Sequence, residues 1–353
     1  DPLQNRVILW TRVIPGDLLP RRVKVEWEVS TNDQFTAVVR KGQAFADPSA
    51  DFTVKVDAQG LKPSHKYFYR FMAEDVSSCI GITKTLPKGD VNQFRIGLAS
   101  CSNFPQGYFN AYRDMASQDL DLVLHLGDYI YEYPDGEYAN QEALDRLNRH
   151  VRPTHEILTL DDYRTRYGLY RNDKNLQAVH QQHPFICVWD DHELTNDTWK
   201  TGAENHNKGE GDFLSRIRAA RQAYHEWMPI RTNSTGNQGP IFRSFQIGDL
   251  ADLIMLDTRF HGRDRGLNYH EDISQLMQWF DKSDPSNIKK ITWEEAKSLP
   301  QSSRELLKLP FDYSADKPLS SLDYNALKKI SSTSLGDEWI NQSDLRAFES
   351  EIL

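Results

Sequence analysis

Residues 94–133 read FRIGLASCSNFPQGYFNAYRDMASQDLDLVLHLGDYIYEY, a pattern of strand, loop, helix, strand and loop. Phe94, Ile96 and Leu98 head a short apolar run that stops at Ala99-Ser100-Cys101. Residues 108–117 suit a short amphipathic helix. Residues 120–126 are nearly all apolar, as expected of a strand buried on both faces of a sheet, and they end at Gly127-Asp128. Cys101 and Asp128 therefore fall just past the carboxyl ends of neighbouring strands. Open α/β sheets place their chemistry there.

A third strand end follows. Residues 185–188, FICV, form another apolar run, and it breaks into Trp189-Asp190-Asp191-His192-Glu193. A strand interior has no use for adjacent carboxylates and an imidazole, because burying unpaired charge is costly. Strand ends carrying Cys, Asp with Tyr, and Asp with His predict one polynuclear metal site.

The rest of the chain sets the frame. Its 353 residues allow two domains and a sizeable core. A net charge of -9 recommends neither nucleic acid nor an anionic membrane as partner. A phosphate-bearing substrate would need local cations against that background, which bound metal supplies. No apolar run is long enough to cross a bilayer. Three cysteines make no disulfide framework. Cys79 and Cys187 lie in apolar contexts and are expected to be buried thiols, while Cys101 sits at a strand end.

Residues 1–86 read as all-β. Residues 7–13 form one strand, and Val23, Val25, Trp27 and Val29 alternate with Lys24, Glu26 and Glu28 in the period of a half-buried strand. Phe52, Val54 and Val56 repeat the alternation. The segment from Gly60 to Phe71 resembles the corner and strand of an immunoglobulin or fibronectin type III sandwich, where a tyrosine locks the corner. A polar linker, TKTLPKGDVNQ at 83–93, marks the domain boundary. Beyond it come helical signals at 160–170 and 213–227, a strand at 241–247, and a further strand, expected to be buried, at 250–256. Residues 282–321 look like a surface excursion and 336–353 like a terminal helix.

With these pieces assembled, the chain resembles the PhoD-like alkaline phosphatases, a branch of the metallophosphoesterase superfamily. The resemblance rests on VILWTR at 7–12, GLASC at 97–101, HLGDYIYEY at 125–133, VWDDHELTND at 188–197, RQAYHEWMPIR at 221–231 and DLIMLDTR at 252–259. GDYIYEY and WDDHE in this order are the specific part; LWTR or LDTR alone would be weak. The resemblance implies a β + α/β fold. An N-terminal immunoglobulin/fibronectin-like β-sandwich (1–86) would precede a metallophosphatase α/β/β/α sandwich (94–353). It implies iron(III) (Fe3+) with calcium (Ca2+), a secreted, periplasmic or cell-surface location, and hydrolysis of phosphate monoesters or diesters by a metal-bound hydroxide. Small-molecule or lipid phosphate esters would be the substrates of a monomer. Such enzymes close their site with a GDxHxS-type segment, which the sequence after Asp257 does not show. The chain is therefore expected to be incomplete at both ends.

Carried over residue by residue, the resemblance implies iron on Cys101, Asp128 and Tyr131. A divalent ion would share Asp128 and use Asp191, with Asn196 contributing an amide oxygen. His192 would face the phosphoryl group, so His192 and Asp128 are the expected catalytic residues. Asp190 is open between metal ligand and hydrogen-bond acceptor. Glu193 is expected to orient His192 or a loop, His125 to be a core or supporting histidine, and Asp257 with Arg259 to be a structural pair behind the sheet. The alternatives are a phospholipase D-like diesterase and a non-catalytic surface binding protein.

Overall fold

Val7 and Leu9, Val23, Val25 and Val29, Val54, Val56 and Ala58, and Tyr67 with Phe71 all turn into one apolar core. They do so because they alternate along strands of two small sheets, and every second side chain of a strand points the same way. In this computed structural model, residues 1–16, 19–231 and 239–265 are described, and all lie within one compact unit, Asp1–Gly266. Strand β1 (Arg6–Arg12) pairs antiparallel with β4 (Thr53–Gln59). In the second sheet β2 (Val23–Ser30) lies between β3 (Val38–Ala46) and β5 (Lys66–Ala73), and β5 also pairs with β6 (Val76–Ser77) and β7 (Gly81–Lys84). The Tyr67 hydroxyl accepts from the backbone N–H of Lys62 at 2.8 Å and ties the start of β5 to the turn before it.

After the linker the pattern changes to parallel strands with helices. The sheet order is β10-β9-β8, all parallel, with β8 at Ile96–Ala99, β9 at Leu122–His125 and β10 at Phe185–Cys187. Every residue of the central strand β9 is buried. Helix α1 (Asn110–Ser117) returns the chain from β8 to β9. Between β9 and β10 run α2 (Gln141–Leu147), α3 (Leu160–Arg171) and α4 (Lys174–Gln182). Thr159 and Asp162 form a capping box on α3, and Asp173 caps α4, so each start satisfies its orphan N–H groups. Helix α5 (Phe213–Trp227) follows, then an antiparallel hairpin of β11 (Arg243–Ile247) and β12 (Ala251–Met255).

The β-rich layer is fastened to the α/β layer through aromatic groups. The rings of Trp10 and Trp227 lie 5.7 Å apart, and Trp10 Nε1 donates to the Glu226 carbonyl at 2.8 Å. Arg171 sits over Trp10 at 4.2 Å and Arg12 over Trp227 at 4.9 Å.

Two expectations need correction, and one strand was missed. The strand at 250–256 is not buried: Ile254 is 67% exposed, because among the described residues β12 pairs with β11 alone, and of its residues Leu253 and Met255 meet the core. Cys79 is exposed, since it lies in the short connection between the edge strands β6 and β7; Cys187 is buried as expected. Strand β3 was not anticipated, because it is an edge strand that buries only Ala46, so its sequence carries no alternation to read. The expected excursion at 282–321 and terminal helix at 336–353 lie outside the described residues.

Candidate metal centre

The parallel register of β8, β9 and β10 delivers three loops to one place. Cys101 N donates to the Gly127 carbonyl at 3.1 Å and Ser102 N to that of Asp128 at 2.7 Å, so the first two loops are laced together. Cys101 and Asp128 are both held in left-handed backbone, at φ 57° and 56°. A non-glycine residue persists there only where its surroundings over-determine it, and such residues cluster at functional sites. Gly127 (φ 112°) passes so close to the third loop that a Cβ on it would stand 2.4 Å from Asp190 N.

At the meeting point are a thiol, a phenol and a carboxylate. Cys101 Sγ and the Tyr131 hydroxyl each lie 3.4 Å from Asp128 Oδ2, and His192 N lies 3.4 Å from Asp128 Oδ1. Asp128 is buried, yet none of these contacts is short. A carboxylate in a low-dielectric site with only long partners is poorly compensated. Burial, together with the charges of Asp191 and Asp190, raises its pKa. Burial raises Asp191 in the same way, and burial reinforced by Asp128 raises the Tyr131 phenol. Oxygen or nitrogen atoms of Asp128, Asp191 and His192 all lie within 4.8 Å of one another. Phenolate and carboxylate are donors for a hard, highly charged cation, a thiolate adds charge and covalency, and the under-compensated Asp128 is where such a cation would relieve the repulsion. The residues present therefore fit a metal centre.

His192 is built into this site by a residue that the sequence did not flag. Glu132 has no exposed side-chain surface, and its carboxylate accepts from His192 Nδ1 at 2.7 Å, Asn196 N at 2.6 Å, Asn205 Nδ2 at 2.9 Å and Thr195 Oγ1 at 3.2 Å. Burial opposes a charged imidazole, but the Glu132 hydrogen bond and charge outweigh it and lift His192 to about 9. Nε2 is the nitrogen left for anything entering the site. The ring lies 4.2 Å from that of Tyr131, tilted by 31°, with Tyr133 at 5.6 Å and Tyr138 at 6.3 Å. A signal for Glu132 was present: a carboxylate inside the aromatic run YIYEY must be paired if that run is buried.

The remaining expected residues fall as follows. Glu193 orients loops and not His192: its carboxylate accepts from Asp128 N at 3.1 Å, Tyr129 N at 2.6 Å and Asp190 N at 2.8 Å. Burial, reinforced by Asp128, pushes it up to about 8. Asn196 turns its side-chain nitrogen to Glu204 at 2.9 Å. His125 is a supporting core residue: its Nε2 meets Ser102 Oγ at 3.0 Å and the Tyr112 hydroxyl at 2.9 Å, directly behind the Cys101 loop.

Arg259 was misplaced by the sequence reading. It does not sit behind the sheet but reaches Asp190 at 2.6 Å, Asp191 at 3.3 Å and Asp197 at 3.4 Å. Asp257 aims the loop, accepting from Arg259 N and Phe260 N. Charge explains the difference, because adjacent carboxylates held at a strand end recruit a cation from wherever the chain supplies one.

Fold and site define a protein of mixed β and α structure with a candidate metal cluster at the carboxyl ends of a parallel sheet. The chain belongs to the PhoD-like phosphatases: the family model matches residues 96–299, and the model of that family's N-terminal domain matches residues 1–87. Alkaline phosphatase D of Bacillus subtilis (strain 168) is 42% identical over 278 residues, which cover 76% of this chain and 47% of that protein. The solved structure of PhoD is similar with a TM-score of 0.70 and 37% identity, over 80% of this chain and 57% of that one. The chain thus spans about half the length of the curated relative it matches.

Proposed function

We propose that this chain is a metal-dependent phosphoric ester hydrolase of the alkaline phosphatase D type, acting on monoesters or diesters outside the cytoplasm. The observation that carries the reading is the meeting of Cys101, Asp128 and Tyr131 with Asp191 and His192 at three adjacent strand ends. Membership of the PhoD-like phosphatases and the name of the relative support it. Cys101, Asp128 and Tyr131 would hold iron(III); Asp191, with Asp128 shared and Asn196 alongside, would hold calcium. The chemistry such a centre supplies when loaded is Lewis acidity, which neutralises phosphoryl oxygens and lowers the pKa of water. Residues 1–86 are taken as an immunoglobulin/fibronectin-like sandwich and 94–353 as belonging to a metallophosphatase α/β/β/α domain.

The protein's own groups divide the remaining work. Asp128 would be the shared carboxylate, and its left-handed backbone, over-determined by its surroundings, holds it in place. His192, charged through its bond to Glu132, offers a proton at Nε2. In hydrolysis the ester P–O bond breaks and a water oxygen bonds to phosphorus. The leaving oxygen takes the Nε2 proton, and the proton released by water restores the imidazolium. Glu193 holds the Asp128 and Asp190 loops in register, and Tyr131 and Tyr133 shield the imidazole from water.

The test is hydrolysis of an aryl phosphate by the metal-loaded protein beside Asp128→Ala and a chelated sample. Turnover abolished by both is the expected result. Turnover that survives Asp128→Ala would overturn the assignment.

A further inference from the structure

A recess adjoins the centre. It is a cleft of about 550 Å³ that opens beside Cys101 and Tyr131, and its walls include Asn103, Gln106, Tyr108 and Tyr138. Among its described lining residues there is no Asp, Glu, Lys, Arg or His, in a chain of which 26% is charged. The acidic side of the centre, Asp190, Asp191 and Asp197, does not line it. Apart from Cys101 and Tyr131, which belong to the centre, its described walls offer no counter-charge to an ionic group and would desolvate one that entered.

The cleft is tied to the reacting end by Tyr138. This residue is 58% exposed and held at φ 44°. Its carbonyl is pinned by Asn103 Nδ2 at 2.9 Å and Gln106 Nε2 at 3.0 Å, both from the cleft wall. Its ring stands 5.7 Å from Tyr131, 5.3 Å from Tyr133 and 6.3 Å from His192. An exposed aromatic ring fastened through its backbone presents a fixed face on which a flat group can stack. Tyr131 belongs both to the centre and to the cleft wall, so the cleft is continuous with the reacting end.

Resting on the phosphoesterase reading above, we propose that the cleft is the subsite for the alcohol portion of the ester. It selects uncharged, ring-bearing alcohols, with Tyr138 as the specificity-determining residue. A second phosphate or a carboxylate on the alcohol finds no counter-charge there and is disfavoured.

The test compares phenyl phosphate with 3-carboxyphenyl phosphate on the metal-loaded protein. Ala111→Lys, on an exposed position of α1 that lines the cleft, places a cation in the wall without touching the centre. The protein should prefer phenyl phosphate in kcat/KM by roughly tenfold, Ala111→Lys should reverse that preference, and Tyr138→Ala should raise KM for phenyl phosphate. Equal kcat/KM for the two esters, unmoved by Ala111→Lys, would overturn the proposal. Saturation-transfer NMR without added metal separates this failure from failure of the phosphoesterase reading. Phenol should bind and 3-hydroxybenzoate should not, with the phenol signal lost in Tyr138→Ala. Phenol binding without turnover of either ester would sink the hydrolase reading and keep the cleft. Failure of phenol to bind would sink the cleft whatever the turnover.

Discussion

The buried carboxylate of Glu132 holds His192 Nδ1 at 2.7 Å and also accepts from Asn196 N, Asn205 Nδ2 and Thr195 Oγ1. One side chain thereby fixes both the imidazole orientation and the loop that follows it. Glu132→Gln keeps the shape but removes the charge that favours the imidazolium. It should lower kcat by about 10–100-fold while leaving KM less affected, the usual cost of losing an orienting partner. Steady-state kinetics on an aryl phosphate check this, with circular dichroism confirming the fold. An unchanged kcat would show that Glu132 serves only packing.

Arg259 compensates three carboxylates, at 2.6, 3.3 and 3.4 Å. Arg259→Ala should destabilise the metal-free protein by on the order of 1 kcal/mol, since these pairs are only partly buried. Added divalent cation should then raise Tm more in the variant than in the parent, because the repelling carboxylates are relieved only when the cation binds. Differential scanning fluorimetry with and without calcium measures both effects; an equal rise in Tm would contradict the compensating role.

Gly127 allows the Asp128 loop and the Asp190 loop to touch. A Cβ there would meet Asp190 N at 2.4 Å and Asp190 Cβ at 2.5 Å, at a φ of 112° that side chains rarely adopt. Gly127→Ala should cost about 1–3 kcal/mol in stability. It should also weaken metal binding, because it separates Asp128 from Asp191. Chemical denaturation and metal titration would show it.

His125 contributes to the acid sensitivity of the fold. Burial lowers it from 6.5 to about 3. Between those values the unfolded chain binds a proton that the folded chain refuses, so stability falls as pH falls from 6.5 towards 3. It falls by up to about 1.4 kcal/mol per pH unit, with no contribution from this group above 6.5. His225, lowered by burial to about 4, acts in the same direction. Urea denaturation at pH 6.5, 5.5 and 4.5 should give a flatter profile for His125→Gln than for the parent.

The sequence made Asp128, Asp191 and His192 legible for one reason. Each follows an apolar strand so closely that a solvated surface role is implausible, and β9 and β10 proved to be those strands. Cys101 was legible from its place at the end of the first strand, and Tyr131 from its spacing to Asp128 within the motif that carries the resemblance. Glu132 escaped because a run of aromatic residues has no alternation that says which side is inward. Arg259 escaped because its partners lie near position 190, and only the folded chain joins them. The buried strand expected at 250–256 failed because apolar content does not report how many neighbours a strand has. In the N-terminal layer the alternating strands were read correctly, and the edge strand β3, which buries only its last residue, was not.

The most direct test of the central claim is metal content with a visible spectrum on the purified protein, beside Tyr131→Phe and Cys101→Ala. The account expects iron near one equivalent, with a visible charge-transfer band that shifts or vanishes in both variants, as phenolate and thiolate donors to one ferric ion require. A protein without iron, or a band indifferent to both substitutions, would contradict the claim that Cys101, Asp128 and Tyr131 hold a metal together.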